Sequence, residues 1–325
     1  MEPELLQPGD SASKPHRYDL IIIGGGPAGL TAAVYASLLR MRAFLITTNI
    51  GGQTVEGAKI ENYMGYEFIS GEALIASFQD QLLQHHYLDH RIAEVTTVRP
   101  LEDHFLVADK EGGQYEASAL IIATGMRRRF LEVPGEERLQ RRGVFYQHLE
   151  EGALVTGLQV AVVGGGNSAL QGAIELSVLC PRVYVVSLEE WTADAAMQEE
   201  VKARGNIVAL KGHAVTEICG EKRVARVKVK CLETGNERHL SVKGVFIEIG
   251  WRPFADVVSS LVDLNGQGEI QIRPDCSTSC PGIFAAGDVT NAFGKRVIIA
   301  TGEGAKSALS AHEYLIKIGP RKVKI

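Results

Sequence analysis

The chain has 325 residues, 45% of them hydrophobic, and 34 Lys and Arg against 39 Asp and Glu give a formal net charge of -5. Its length indicates about two domains, and its composition excludes wholesale disorder. The acidic balance argues against nucleic acid as the main partner, and a mean hydropathy of +0.02 without a run of about 18 uncharged apolar residues argues against a membrane span.

The first 17 residues are polar, contain three prolines and lack the basic start and apolar core of a secretory signal. We therefore predict a disordered tail over residues 1–17 and a cytoplasmic location. The five cysteines are too few for a disulfide framework in a chain of this length, so most are expected to be reduced and buried.

Two stretches of the chain share the order strand, glycine turn, helix, strand. In the first, an apolar run at 18–23 ends at the turn Gly-Gly-Gly-Pro-Ala-Gly (24–29), and a helical stretch and a second apolar run follow over 30–46. The same order returns over 158–186, around the turn Gly-Gly-Gly-Asn-Ser-Ala (164–169). This order is typical of a βαβ unit, so the chain is predicted to be α/β with two Rossmann-like dinucleotide-binding domains.

The glycines of each turn have separate expected roles. In the first turn, Gly24 permits the tight bend, Gly26 lets the backbone approach a pyrophosphate, and Gly29 lets helix and strand pack closely. The pyrophosphate would sit at the helix N-terminus, where free N–H groups favour anions. For the second turn, a structural turn that no longer binds a nucleotide is the alternative. The corresponding residues there are Gly164, Gly166 and Ala169.

The residues after the second strand of the second unit bear on which nucleotide binds there. An acid at this position would bind the ribose 2′-OH of NAD, and arginines would accept the 2′-phosphate of NADP. The chain reads Ser-Leu-Glu-Glu-Trp over 187–191, with no arginine until Arg204. NADP is therefore disfavoured, and Glu189 is a candidate for NAD, although it falls about two residues late.

The remaining segments complete the predicted order of elements. Apolar strands over 119–125 and 282–288 each end in small residues. Alternation of apolar and charged residues over 207–248 predicts antiparallel strands with one wet face. Residues 302–316 predict a C-terminal helix.

In this order, the motifs resemble the low-molecular-weight thioredoxin reductase family, which includes the flavin-binding component of alkyl hydroperoxide reductase. The resemblance covers about residues 18–318 and implies FAD in a discontinuous first domain, a second dinucleotide-binding domain inserted into it, and a homodimer. It also implies that Asp288 contacts the ribityl or phosphate region and that Lys295 and Arg296 lie near the flavin. The residues implied are Gly24, Gly26, Pro27, Ala28, Gly29, Gly51, Gly52, Gln53, Asn62, Ala123, Thr124, Gly125, Gly287, Asp288, Arg296 and Val297 for FAD, and Gly164, Gly166, Asn167, Ser168 and Ala169 for the second nucleotide.

The chain departs from this family at its redox centre, a Cys-x-x-Cys that precedes the first strand of the second domain. Residues 143–152 read Gly-Val-Phe-Tyr-Gln-His-Leu-Glu-Glu-Gly, with Gln147 and Glu150 where the cysteines are expected. Neither side chain can form a mixed disulfide, so the usual thioredoxin reductase mechanism is chemically impossible there. His148 could move protons nearby, and a surface histidine is the simpler interpretation.

Cys276 and Cys280 suggest a relocated redox pair. The Ser-Thr-Ser between them suits a turn, which could bring their Cα atoms within the roughly 4.4–6.8 Å of a disulfide. In that role, the disulfide would accept two electrons from reduced flavin, and one thiolate would attack a substrate disulfide such as that of a thioredoxin. A structural link or two unrelated buried thiols are the alternatives. Cys180, Cys219 and Cys231 are interpreted as core or incidental residues.

Three electron donors fit the sequence. NADH could use the second turn, and an acidic protein such as ferredoxin could dock on a basic cluster, for which a solvated face is the alternative. A second FAD could also occupy the second site, as in the diflavin-linked disulfide oxidoreductases of cyanobacteria, which the chain resembles in lacking the usual cysteines and NADPH markers. The basic cluster is Arg127, Arg128, Arg129, Arg141 and Arg142, and the aromatic residues for a second flavin are Tyr146, Trp191 and Trp251.

The main prediction is an FAD-dependent disulfide oxidoreductase with an atypical cysteine pair and no NADPH preference. Its FAD domain is placed at 18–131 and 255–325, and the inserted domain at 132–254. The alternatives are a flavin-dependent NADH or ferredoxin oxidoreductase with no disulfide centre, and a non-enzymatic flavin-binding sensor. No metal is expected at either site.

Overall fold

The computed structural model describes residues 16–56, 59–84, 87–146 and 148–319. It divides into two compact units: unit 1 comprises Met1–Arg127 and Arg252–Ile325, and unit 2 comprises Arg128–Trp251. These boundaries lie a few residues from the predicted ones. Within the described ranges, no helix combines the length and the hydropathy that a membrane span requires.

Unit 1 contains a seven-stranded mixed sheet flanked by helices. A separate pair of short strands, β7 (Met126–Arg128) and β16 (Trp251–Pro253), lies where the chain passes between the units. The sheet strands are β1 (His16–Gly25), β2 (Ala43–Ile50), β3 (Leu88–Ile92), β4 (Val95–Pro100), β5 (Phe105–Asp109), β6 (Gln114–Ile122) and β17 (Ile283–Ala285), and the helices are α1 (Pro27–Leu38), α2 (Gly71–Leu83) and α6 (Val297–Ile318).

The parallel strands of unit 1 run in the order β3-β2-β1-β6, with β17 also parallel to β6 and with β5 and β4 added antiparallel. Strand β1 is buried on both faces, since Leu20 and Ile22 pack with the α1 and α6 side while Ile21 and Ile23 pack with the β4 and β5 side. Burial on both faces explains why this strand reads as a continuous apolar run.

Strand β1 begins two residues earlier than predicted. His16 and Arg17 pair in parallel register with Tyr115 and Glu116 of β6, so they belong to the sheet and not to a disordered tail. Residues 1–15 of the predicted tail lie outside the described residues. These two polar residues belong to the strand because their backbone N–H and C=O groups pair with β6, and this pairing does not require an apolar side chain.

Unit 2 contains a five-stranded parallel sheet and a three-stranded antiparallel sheet. Its elements are β8 (Val144–Phe145), α3 (His148–Glu151), β9 (Gln159–Val163), α4 (Asn167–Leu179), β10 (Arg182–Val186), α5 (Ala195–Ala203), β11 (Ile207–Leu210), β12 (His213–Cys219), β13 (Arg226–Cys231), β14 (Glu237–Leu240) and β15 (Gly244–Ile247). The parallel sheet has the order β11-β10-β9-β15-β8, and the antiparallel sheet has the order β12-β13-β14.

The prediction of antiparallel strands over 207–248 is confirmed for β12 to β14 only. Strands β11 and β15 at the ends of that segment instead join the parallel sheet. The C-terminal helix α6 begins at Val297, before the predicted start at 302. Its first residues are Val-Ile-Ile, and β-branched residues lower helix propensity without preventing a helix that tertiary packing stabilises.

Candidate functional site

In the first glycine turn of unit 1, two of the motif glycines are tightly packed and one faces open space. A Cβ on Gly24 (φ +114°) would lie 2.3 Å from the Ala123 carbonyl oxygen, and a Cβ on Gly29 would lie 1.8 Å from the Gly24 carbonyl oxygen. A Cβ on Gly26 would meet nothing within 4 Å. The fold therefore requires the outer two glycines, while the middle one borders space that a ligand could fill.

The N-terminus of α1 is open toward that space. Gly26 is its N-cap, no side chain caps the helix, and Pro27 occupies the first turn. The first turn holds no acidic residue. Uncapped N–H groups and the positive end of the helix dipole favour an anion here, as a dinucleotide pyrophosphate requires.

The segment after β2 folds back onto the turn. The Gly51 N–H donates to the Gly25 carbonyl at 2.7 Å, and the Gly25 N–H donates to the Thr47 hydroxyl at 2.8 Å. Gly52 approaches closely, since a Cβ on it would lie 3.3 Å from the Cα of Gly26. The family resemblance implies that Gly51 and Gly52 line the FAD, and the structure brings both residues to the glycine turn.

Two other predicted FAD residues lie at different places in unit 1. The Gln53 amide donates to the Met126 carbonyl at 2.7 Å, just beyond the predicted residues Ala123, Thr124 and Gly125. Asn62 is exposed on a segment whose ends are joined by a bridge between Ile60 and Ile69. The structure therefore places Gln53 beside the strand end and Asn62 on an exposed loop.

A carboxylate stands at the end of β17, before α6. Asp288 is half-buried and has no hydrogen-bond partner among the described residues. Burial raises its pKa, and the positive charges of Lys295 and Arg296 oppose that shift. An acceptor that lacks a partner suits the hydroxyl groups of a ribityl chain. Lys295 itself is paired with Glu269 at 2.9 Å and donates to the Thr290 carbonyl, whereas Arg296 is the exposed N-cap of α6.

These features of unit 1 fit FAD. The open space at Gly26 and the uncapped α1 fit a pyrophosphate, and the unpartnered Asp288 fits a hydroxylated chain.

Gly287 is held in place because its N–H donates to the buried Glu303 carboxyl at 2.7 Å. Glu303 is 8% exposed, and burial raises its pKa.

The glycine turn of unit 2 repeats this geometry. A Cβ on Gly164 (φ +141°) would lie 2.2 Å from the Glu248 carbonyl oxygen, whereas a Cβ on Gly166 would meet only the Thr192 hydroxyl, at 3.9 Å. Gly166 caps α4 and no side chain does. The third position holds Ala169, which is fully buried. This unit therefore also offers an uncapped helix N-terminus beside an open glycine.

The segment after β10 covers the unit 2 turn as the Gly51 segment covers the first. The Thr192 N–H donates to the Gly165 carbonyl at 2.9 Å. Asn167, in the first turn of α4, exchanges two hydrogen bonds with Asp194, at 2.8 and 2.9 Å. Ser168 beside it is exposed. These contacts fix the segment that would face the adenosine half of a dinucleotide.

No arginine lies between Ser187 and Asp194, and the nearby cation is already paired. Lys211 forms an ion pair with Glu190 and lies 4.7 Å from the centroid of the Trp191 ring. Trp191 is 7% exposed, so it is a packing residue, and its indole N–H has no partner among the described residues. Residues 187–194, all of them described, therefore offer no free positive charge for a 2′-phosphate.

Cys276 and Cys280 are both free thiols, although the segment that joins them bends. Bends lie at Cys276, which has φ +65°, and at Ser279 and Cys280. The Ala285 N–H donates to the Cys276 carbonyl at 3.0 Å, and the Thr278 N–H donates to the Ile283 carbonyl at 3.2 Å. These bonds fix the Cys276 side of the segment to the strand that follows it, and the two sulfurs are not bonded to each other.

The environments of these two thiols disfavour nucleophilic chemistry. Cys276 is 0% exposed, its Sγ lies 3.7 Å from the Glu303 carbonyl, and burial raises its pKa to about 12. Burial also raises the pKa of Cys280. Because the thiolate is the reactive form, neither cysteine is activated. Cys180 is buried as predicted, whereas Cys219 and Cys231 are partly exposed.

Two members of the predicted basic cluster are engaged within their own units. Arg127 pairs with Glu94 at 3.0 Å and lies 3.6 Å from the centroid of Phe254. Arg128 lies 4.4 Å from the centroid of Trp251 and donates to the Tyr146 carbonyl. Phe254 and Trp251 therefore each pack against an arginine guanidinium. Arg141 and Arg142 are exposed.

The histidine in the altered redox segment is not a surface residue. Gln147 lies outside the described residues, but His148 is 12% exposed and its Nδ1 lies 2.8 Å from the Glu248 carboxylate. Its Nε2 lies 3.6 Å from the Glu175 carboxylate. Sequence reasoning missed both glutamates, because Glu248 is 100 positions away in the chain.

Comparisons with known proteins agree with this architecture. Residues 18–312 match the family described as pyridine nucleotide-disulphide oxidoreductase. A Bacillus subtilis protein named NADH dehydrogenase is 34% identical over 303 residues, which are 92% of this chain and 59% of the relative. A component of the alkyl hydroperoxide reductase of Pseudomonas putida is 33% identical over 312 residues, which are 92% of this chain and 58% of the relative.

A solved structure of similar length also matches. The thioredoxin reductase of Lactococcus lactis is 32% identical, with a TM-score of 0.73 and coverage of 92% of this chain and 99% of that one. By contrast, the chain spans less than two thirds of the length of the two curated relatives, at 59% and 58%.

Proposed function

Because the chain belongs to the pyridine nucleotide-disulphide oxidoreductase family, we propose that it is an FAD-dependent oxidoreductase that takes electrons from NADH and delivers them without a disulfide of its own. FAD would occupy unit 1 and NADH the turn of unit 2. In the overall reaction, NADH, one proton and an oxidised acceptor give NAD+ and the acceptor carrying two electrons and two protons.

The observation that carries this proposal is the state of the two candidate cysteines. Both are free thiols, and Cys276 is fully buried, with its Sγ 3.7 Å from the Glu303 carbonyl of α6. Attack on a substrate disulfide would require Cys276 to leave the core. At the family's usual position, Gln147 and Glu150 can carry no electrons.

The choice of NADH over NADPH rests on charge. A 2′-phosphate brings two negative charges to the segment after β10, where Glu189 and Glu190 are exposed and Lys211 is already paired with Glu190. Such a group would be repelled there, whereas a ribose 2′-OH would not. The name NADH dehydrogenase borne by the Bacillus subtilis relative supports the same choice.

The assignment of a single FAD rests on the difference between the two units. Unit 1 offers two helix N-termini, at Gly26 and Arg296, and the unpartnered Asp288 directly follows Gly287, which packs against both helices. At the turn of unit 2, the carboxylates are already engaged, Asp194 by Asn167 and Glu248 by His148. Bound FAD supplies the group that accepts a hydride and returns electrons singly or in pairs. Gly26, Gly52 and Asp288 would bind and orient it.

A second candidate function is disulfide reduction through Cys276 and Cys280. The thioredoxin reductase of Lactococcus lactis, which matches nearly the whole chain, favours this activity. It would require the two free thiols to form a disulfide and one of them to become accessible to the substrate. Electrons would then pass from the flavin into the disulfide, and the resulting thiolate would form a mixed disulfide with the substrate.

The test is anaerobic reduction of the flavin in the wild-type protein and in a Cys276→Ala/Cys280→Ala variant. We expect NADH to bleach the flavin in both proteins at rates within about twofold, at one NADH per FAD, because no thiol takes part. We expect NADPH to be at least about tenfold slower, a difference of about 1.4 kcal/mol, because its 2′-phosphate would be repelled by the acidic segment after β10.

Turnover with an added electron acceptor distinguishes the proposed NADH oxidoreductase from a disulfide reductase that uses Cys276 and Cys280. Steady-state turnover with a small disulfide would persist in the wild type and vanish in the double variant if the cysteines carried electrons. That result would reject the proposal in favour of disulfide reduction. If neither nucleotide bleaches the flavin of the wild type, an electron-carrier protein or the sensor interpretation replaces NADH.

A further inference from the structure

His148 lies between two carboxylates near the carboxyl end of strand β15 in unit 2. Its Nδ1 is 2.8 Å from a Glu248 carboxylate oxygen, and its Nε2 is 3.6 Å from a Glu175 carboxylate oxygen. The side chains of His148 and Glu248 are 12% and 11% exposed. The Nδ1 contact is a hydrogen bond and the Nε2 contact is at ion-pair distance, and two carboxylates this close to one ring favour its protonated form.

The position of Glu248 in the sheet gives this pair its significance. Strand β9 has β10 on one side and β15 on the other, so the strand order reverses between β9 and β15. In open α/β sheets, ligands bind outside the carboxyl ends of the strands at such a switch point. Glu248 directly follows β15, and its carbonyl abuts Gly164 at the start of the glycine turn.

A lone carboxylate at this place would oppose the ligand. A dinucleotide brings a pyrophosphate to the N-terminus of α4, close to the strand end that carries Glu248, and like charges in a partly buried site repel. A proton on His148 cancels the charge of Glu248 across a 2.8 Å contact. The Gln171 amide holds Glu175 at 2.6 Å, so the second carboxylate is fixed on the far side of the ring.

We propose that His148 and Glu248 form a proton-dependent positioning pair for the dinucleotide of unit 2. The protonated pair is neutral and accepts a pyrophosphate-bearing ligand, and loss of the proton leaves a repelling carboxylate at the switch point. This inference rests on the proposed function, since it requires that unit 2 bind a dinucleotide.

The pH range follows from the groups that face His148. These are Glu248 after β15 and Glu175 on α4, while on α3 itself Glu151 accepts the Tyr146 N–H at 3.0 Å. The hydrogen bond to Glu248 raises the pKa of His148 above its ordinary value, and burial opposes this shift. The proton is therefore retained below the ordinary histidine value near 6.5 and lost as the pH rises through the higher value in the folded protein.

The test is calorimetric titration of the FAD-containing full chain with NAD+, which binds without reducing the flavin, from pH 6 to pH 9. For the wild type, we expect the Kd to rise about tenfold across this range. His148→Gln should show the weak, high-pH Kd at every pH. Glu248→Gln should show the tight Kd at every pH, because it removes the repelling charge.

A matched control is available in unit 1. His104 also lies between two carboxylates, 2.7 Å from Asp103 and 3.3 Å from Glu116, with 16% of its side chain exposed. His104→Gln makes the same chemical change at a position far in the sequence from both nucleotide-binding glycine turns, 24–29 and 164–169. It should leave both the Kd for NAD+ and its pH dependence unchanged.

Two outcomes distinguish the failure of this inference from the failure of the proposed function. If NAD+ binds and His148→Gln keeps the wild-type pH profile, or if Glu248→Gln binds more weakly than the wild type, the positioning pair is rejected and the site stands. If neither the wild type nor Glu248→Gln binds NAD+ at any pH, unit 2 is not a site for NAD(H), and the proposed function fails with the inference.

Discussion

Replacing Gly26 with alanine is expected to abolish FAD retention while leaving the fold of unit 1 intact. Gly26 has φ -75° and ψ -177°, a backbone conformation that alanine adopts freely, and its Cβ would meet no atom within 4 Å. The new methyl group would instead occupy the space where the backbone approaches the pyrophosphate. We expect at least a 100-fold weaker Kd for FAD, or about 3 kcal/mol.

The matched variant is Gly29→Ala in the same turn. Its Cβ would lie 1.8 Å from the Gly24 carbonyl oxygen, so the backbone itself would have to shift. This variant should lose both FAD and thermal stability, whereas Gly26→Ala should match the wild-type apoprotein in Tm. The comparison uses apoproteins because bound FAD raises the apparent stability. Retention of FAD by Gly26→Ala at wild-type affinity would mean that the turn holds no pyrophosphate.

The corresponding change in unit 2, Gly166→Ala, is expected to stop reduction by NADH without loss of FAD. Gly166 has φ -90° and ψ -179°, and its Cβ would approach only the Thr192 hydroxyl, at 3.9 Å. The methyl group would block the dinucleotide at α4 and leave unit 1 untouched. At subsaturating NADH, we expect flavin reduction to slow by at least about 100-fold, the same scale as for Gly26→Ala.

Three measurements make this result specific. The FAD content of Gly166→Ala should equal that of the wild type, and dithionite should still bleach its flavin fully. Gly164→Ala is the structural comparison, since its Cβ would lie 2.2 Å from the Glu248 carbonyl oxygen and unit 2 should be destabilised. Undiminished reduction of Gly166→Ala by NADH would show that the nucleotide enters elsewhere.

Local sequence patterns were sufficient for the two βαβ units. The second predicted unit, 158–186, ends with strand β10 at Val186, and both glycine turns lie between a strand and a helix. These features depend on residues near one another in the chain, where periodicity and glycine spacing carry the signal. The polar start of β1 at His16 was missed because its partners lie about one hundred residues further along, in β6.

Long-range contacts account for what sequence reasoning could not supply at the site. The Ser-Thr-Ser segment between the two cysteines bends as its composition predicts, yet the two thiols are not bonded and Cys276 lies in the core. His148 resembled a surface histidine because its partner Glu248 follows a strand that joins the sheet late in the chain. In both cases the outcome depends on packing against residues that are distant in the sequence, which local composition does not show.

The charged cluster shows the same limit. Arg127 and Arg128 are adjacent in the sequence and read as an exposed basic patch, but each packs on an aromatic ring of its own unit. Arginine stacks on such rings readily because its guanidinium is planar and weakly hydrated. A run of arginines therefore does not by itself indicate a docking surface.

The ratio of FAD to chain decides whether one flavin in unit 1 is served by a non-flavin dinucleotide in unit 2. Flavin released by denaturing the purified protein would be measured against the protein concentration. We expect about one FAD per chain, with Gly26→Ala near zero and Gly166→Ala near one. About two FAD per chain, falling to one in Gly166→Ala, would place a second flavin at the unit 2 turn and rule out NADH there.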